Sequence, residues 1–163
     1  SNLEEGSIKK GFDGFYLKDD EYWLMESKSS IFGNTTHLSK AKEAYKDLRD
    51  KINDFDGNDP WDNARNHAIV AGAEGSILKQ IRMLSDDFTL RRAHSADEFN
   101  MIPCGTVFID CVLTIEEVEK LSIDVLQFFG KQSYSAIHIV CVSHLALVGF
   151  LRYLNLEYTD ERR

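Results

Sequence analysis

Gly11-Phe12-Asp13-Gly14-Phe15-Tyr16-Leu17-Lys18-Asp19-Asp20-Glu21-Tyr22-Trp23-Leu24-Met25-Glu26-Ser27-Lys28 is the stretch on which the fold turns. Ile8 to Leu17 reads as one strand and Tyr22 to Ser27 as the next, with Asp19-Asp20 as turn residues between them. A two-residue loop sets Lys18 opposite Glu21, and each step outward then pairs Leu17 with Tyr22, Phe15 with Leu24 and Asp13 with Glu26. Directly opposed residues point to the same face of a sheet. Strand alternation adds Lys28, two residues beyond Glu26. Turn chemistry and alternation therefore predict Asp13, Glu26 and Lys28 together. A three-residue loop would shift the register and break the group.

Two carboxylates and an ammonium are unusual on a hairpin face otherwise made of Phe15, Leu17, Tyr22 and Leu24, because Asp and Glu are disfavoured in strands. Facing carboxylates repel unless a cation lies between them. Hard oxygen ligands suit Mg²⁺, which takes one or two protein carboxylates and keeps positions for water and phosphate. A neighbouring ammonium can orient an attacking hydroxide made at the metal. Asp13 and Glu26 are thus candidate metal ligands, and Lys28 a candidate catalytic lysine. The plain alternative is a sheet edge on which the three form solvated ion pairs.

Gly11-Phe12-Asp13-Gly14 followed by Trp23-Leu24-Met25-Glu26-Ser27-Lys28 resembles the D…E-x-K signature of the PD-(D/E)xK nuclease superfamily, the restriction-endonuclease-like proteins. In that family a hairpin carries the Asp and then E-x-K, and a helix follows; the same order runs here through about Asn53. The resemblance implies a metal-dependent nuclease cutting phosphodiesters of nucleic acid, with DNA the expected substrate and Mg²⁺ or Mn²⁺ the cofactor. It matches Asp13 and Glu26 to the metal-binding carboxylates and Lys28 to the catalytic lysine. No Pro precedes Asp13. The family's first core helix is missing, with Leu3-Glu4-Glu5 the only candidate for its tail. The segments also look like the nuclease subunit of Hachiman-type bacterial antiphage defence, which implies a helicase partner and a role in antiviral defence or restriction.

Beyond the hairpin, Asn34 is a candidate N-cap for a helix from about Thr35 to Asn53, with Leu38, Ala41, Tyr45, Leu48 and Ile52 as its buried stripe. Asp59-Pro60 reads as an N-cap and first helical residue, opening a mostly helical stretch from Trp61 to about Leu84. A short helix is expected near Ser95 to Phe99. Thr106 to Leu113 reads as a strand, Thr114 with Glu117 as a capping box for a helix ending near Gly130, Ala136 to Ser143 as a strand, and Leu145 to Leu156 as an apolar helix. The expected fold is α/β, a restriction-endonuclease-like mixed central sheet flanked by helices. The 163 residues suit one nuclease-like domain. Ser1-Asn2 reads as a tag scar, and the chain as a fragment lacking the first core helix.

Nineteen Lys and Arg against 27 Asp and Glu leave a net charge of −8. A general nucleic-acid binder would be basic, so binding must rest on a local patch or a partner. The charge also favours a competing reading: a non-catalytic nuclease-like scaffold or acidic partner-binding subunit of a larger complex. No apolar run approaches the ~20 residues of a membrane span. Three cysteines, Cys104, Cys111 and Cys141, without a signal peptide suit the cytoplasm. Neither a P-loop, a G-x-G-x-x-G run nor a G-x-S-x-G elbow is present. Lys42, Lys46 and Arg49 could track phosphates, or pair with the interleaved Glu43, Asp47 and Asp50. Ser29, Ser30, Asn34 and His37 could meet a phosphate or be a polar loop and cap. Arg91, Arg92 and His94 form a local cationic cluster that could contact nucleic acid or be a plain loop surface. His138, Cys141 and His144 have zinc-like spacing, yet on a strand the histidines and the cysteine point opposite ways.

Overall fold

The computed structural model describes residues 11–18, 21–30, 35–109 and 112–144. Strand β1 (Gly14–Lys18) pairs antiparallel with β2 (Glu21–Ser30), and the register is Lys18 to Glu21, Leu17 to Tyr22 and Phe15 to Leu24. That is the two-residue register. The pairing stops at Gly14 with Met25, so Asp13 sits at a bend just before the strand. The expected strand residues before Gly11 and the turn at Asp19-Asp20 lie outside the described residues, as does Asn34, whose expected capping role falls to Thr36. So do Cys111, Leu3-Glu4-Glu5 and the expected helix from Leu145 to Leu156.

Helix α1 (His37–Asn53) is capped at Thr36, whose side chain accepts from the Ser39 amide while the Ser39 hydroxyl accepts from the Thr36 amide. Ala41, Ala44, Tyr45, Leu48 and Ile52 are buried, at three- and four-residue steps. Asp59 caps α2 (Pro60–Val70) by accepting from the Trp61 amide at 2.9 Å, with Pro60 at the first helical position. The expected continuous helical stretch is broken at Gly72, which takes a φ of +74° before α3 (Gly75–Thr89). Ala96–Glu98 forms a single 3-10 turn.

The third strand corrects the sequence expectation: β3 is Asn100–Phe108 rather than Thr106 to Leu113. Pro103 and Gly105 look like breakers in the sequence. In the fold, β3 pairs with β4 (Ala136–Ile137) at its start and with β5 (Val140–His144) from Cys104 onward. The Met101 carbonyl accepts from the His138 amide on that edge, and Pro103, two residues on, shares the edge. Its missing N–H therefore falls in the gap between two partner strands, where no ladder bond is lost. Gly105 is required by close approach: a Cβ there would lie 2.5 Å from the His37 carbonyl oxygen and 2.7 Å from the Ala41 nitrogen of α1.

Between β3 and β4 runs α4 (Ile115–Phe129), opened by the Thr114–Glu117 capping box. Among the described residues the architecture is an open, mixed five-stranded sheet flanked by helices, ordered β1-β2-β3 with β4 and β5 both on the far edge of β3. All pairings except β1 with β2 are parallel. Residues paired in register share a face, so Leu24, Glu26 and Lys28 stand beside Met101, Pro103 and Gly105. The hydrophobic core lies on that face, where Phe15, Leu24 and Met101 meet Tyr45 and Leu48 of α1, Trp61 of α2, Ile81 of α3 and Phe129 of α4. Burying each large side chain contributes about 1.5–3 kcal/mol.

Candidate functional site

Glu26 is the exception in this apolar face. It follows Leu24 by two residues along β2, so alternation turns it toward α1, and it is only 2% exposed. A carboxylate so placed needs partners, and among the described residues it has two. Lys28 Nζ lies 3.2 Å from Glu26 Oε1, and Lys51 Nζ lies 2.5 Å from Oε2. Lys51 also donates to the Gly11 carbonyl at 3.0 Å, tying the last turn of α1 to the chain entering β1. Lys28 in turn lies 2.5 Å from Asp47 Oδ2. The hydrogen bond to Asp47 most of all, with the hydrogen bond and the charge of Glu26, holds the Lys28 ammonium above its ordinary pKa of 10.5, against an opposing effect of burial.

Asp13 is exposed, and its Oδ2 accepts from the Ser27 amide at 2.9 Å. Its carboxylate therefore lies against the peptide that joins Glu26 to Ser27, at the edge where β1 has stopped pairing. The fold brings Glu26 and Lys28 into direct contact and sets Asp13 beside their strand. Sequence reasoning missed Asp47 and Lys51, reading Asp47 only as a partner for the interleaved Lys42, Lys46 and Arg49. The signal was present: the two are four residues apart at the border of the buried stripe, on the helix that folds back over E-x-K. An open cleft of about 720 Å³ adjoins this charge group, lined by Asp47, Arg49, Asp50, Lys51, Asn53 and Asp54.

Among the described residues, no group of three or more His, Cys, Asp and Glu side chains converges as a metal cage. Mg²⁺ asks for less, one or two carboxylates with the remainder water or substrate oxygen. Glu26 supplies hard oxygens from β2 and Asp13 from the bend before β1; an ammonium stands at each Glu26 oxygen, and Asp13 accepts from the Ser27 amide. The donor chemistry fits, on the condition that one ammonium gives way.

The weaker sequence signals find local partners. Lys42 stands 4.2 Å above the Phe128 ring, Lys46 lies 3.9 Å from Asp50, and Arg49 lies 3.2 Å from Asp50. Arg91 pairs with Asp56, Arg92 with Asp87, and His94 with both Asp87 and Glu98. His37 is buried, with Nε2 3.0 Å from the Ser143 hydroxyl, away from Glu26; burial pushes its pKa below the ordinary 6.5. Ser30 meets Thr35. His138 stacks on Trp23 at 4.5 Å and His144 lies 5.2 Å from the Phe108 ring, while Cys141 pairs in register with Gly105 on the α1 face. Trp61 is fully buried between Phe12 and Phe99. No helix among the described residues is long and apolar enough to cross a membrane.

No protein-family model, curated protein or solved structure matches this chain.

Proposed function

We propose that the chain is a divalent-metal-dependent nuclease of the PD-(D/E)xK type, acting on DNA. The observation that carries this is the buried Glu26 carboxylate hydrogen-bonded to Lys28, with Asp13 against the same strand. Asp13 and Glu26 would hold Mg²⁺ or Mn²⁺, which supplies a lowered pKa for bound water and charge neutralisation at the phosphate. Lys28 keeps its ammonium beside Glu26, where it orients the attacking water and meets negative charge developing on the phosphate. Asp47 positions Lys28. The α1 helix, which carries both Asp47 and Lys51, seals Glu26 from bulk water. With a net charge of −8, approach of a polyanion relies on local cations or a basic partner; a helicase in a bacterial defence complex is the partner that fits this proposal.

The test is cleavage of double- and single-stranded DNA with Mg²⁺ or Mn²⁺, read alongside metal titrations. Glu26→Ala should weaken metal binding and nearly abolish cutting. Lys28→Ala should leave metal binding equal or stronger while cutting collapses, since such groups act as one unit. Glu26→Ala cutting at the parental rate would overturn the proposal. A second reading, a nuclease-like scaffold or acidic partner-binding subunit, is favoured by one observation: both Glu26 oxygens are already met by ammoniums. A scaffold should show no rise in melting temperature with Mg²⁺ or Mn²⁺, whereas a metal site raises it by mass action.

A further inference from the structure

Lys51 makes contacts that an ordinary helix-surface lysine does not. Its ammonium bridges Glu26 Oε2 at 2.5 Å and the Gly11 carbonyl at 3.0 Å, and its side chain is 25% exposed against 3% for Glu26. Lys28 sits at the other oxygen, Oε1, and is shared with Asp47. The two lysines therefore differ in kind. Lys28 has a second carboxylate and stays neutralised if Glu26 turns to another cation. Among the described residues, the hydrogen-bond partners of Lys51 are Glu26 and the neutral Gly11 carbonyl. It also borders the open cleft, so its flexible stem has somewhere to go.

We propose that Lys51 is an exchangeable counter-ion for the metal site: its ammonium occupies the Glu26 oxygen that a divalent cation takes, and it moves toward the cleft when the cation enters. This rests on the nuclease reading of Glu26. Without metal, Lys51 keeps the buried carboxylate compensated and the last turn of α1 fixed to the chain before β1. A divalent cation must displace a charge-assisted hydrogen bond, so Lys51 sets the metal concentration at which the site loads. The divalent ion brings two positive charges while the displaced ammonium stays beside the cleft, which favours an approaching phosphate.

The experiment is calorimetric titration of the full chain and its Lys51→Met variant with Mg²⁺ and Mn²⁺ at pH 8, with melting temperature read in parallel. The lysine side-chain NMR signals are followed through the Mg²⁺ titration. Lys51→Met should melt lower without metal and bind it more tightly, by roughly tenfold or more, because no ammonium has to leave. The Lys51 signal should move toward that of an exposed lysine with the midpoint of the heat signal, while Lys42, held over Phe128, stays still. If Lys51→Met does not fold, Lys51→Arg serves: the guanidinium keeps the charge, so it should bind metal no tighter than the parent, and tighter binding overturns the proposal. Metal binding that needs Glu26 but leaves the Lys51 signal and affinity unmoved also overturns it, and leaves the nuclease reading standing. Absence of any Glu26-dependent metal binding, in parent and variants alike, removes the nuclease reading and this inference with it.

Discussion

Asp47 decides how Lys28 is presented. Of the two carboxylates that hold the Lys28 ammonium, Asp47 raises its pKa most, and Glu26 adds to it. Below the ordinary 10.5, folded and unfolded chains both carry the proton and the full contribution of these contacts to stability is present. It is lost as the pH climbs through the higher folded pKa, because the unfolded chain releases its proton first. Asp47→Asn should therefore lower the Lys28 pKa and flatten the alkaline loss of stability, measured as the urea midpoint from pH 9 upward. Cleavage should fall in this variant while metal affinity holds, since Asp47 acts on the lysine. A Lys28 side-chain NMR titration that gives the same pKa with and without Asp47 would remove the positioning role.

At the scale of elements, the site depends on how closely α1 lies on β3. Lys51 and Asp47 reach Glu26 and Lys28 because the first turns of α1 rest directly on Gly105. A methyl group at that position would meet backbone atoms of His37 and Ala41, which cannot rotate away as a side chain could. Gly105→Ala should lift the start of α1 and cost about 1–3 kcal/mol in overpacking, read from the urea midpoint. The same change should weaken the Lys51–Glu26 contact and lower the pKa of Lys28. Unchanged stability would mean that the helix has room to shift.

For the whole molecule, stability rests on the core that the four described helices share with one sheet face. Phe99 is 1% exposed, stacks on Trp61 at 5.4 Å, and sits at the entry to β3, the strand that pairs with β2, β4 and β5. Phe99→Ala should cost about 3–5 kcal/mol, a large share of the 5–15 kcal/mol typical of a domain. Helix and sheet signals should still melt together, since one cluster joins the elements. Separate transitions by far-ultraviolet circular dichroism and tryptophan fluorescence would show that Trp61 and its neighbours form an independent unit.

Local rules carried far in this chain. The register of the first hairpin follows from a two-residue spacing and alternation, and the caps at Asp59 and Thr114 from hydrogen bonds between residues two or three apart in sequence. Glu26 and Lys28 side by side needed only the strand period. Three features needed the tertiary structure. Pro103 could enter a central strand only because β4 and β5 leave a gap beside it, and no local signal announces a gap between distant strands. Asp13 turned from the expected pairing to the Ser27 amide because the ladder ends at Gly14. Asp47 and Lys51 became part of the site because α1 packs across β2. Until a buried carboxylate faces them from another element, they are only two charges four residues apart on a helix.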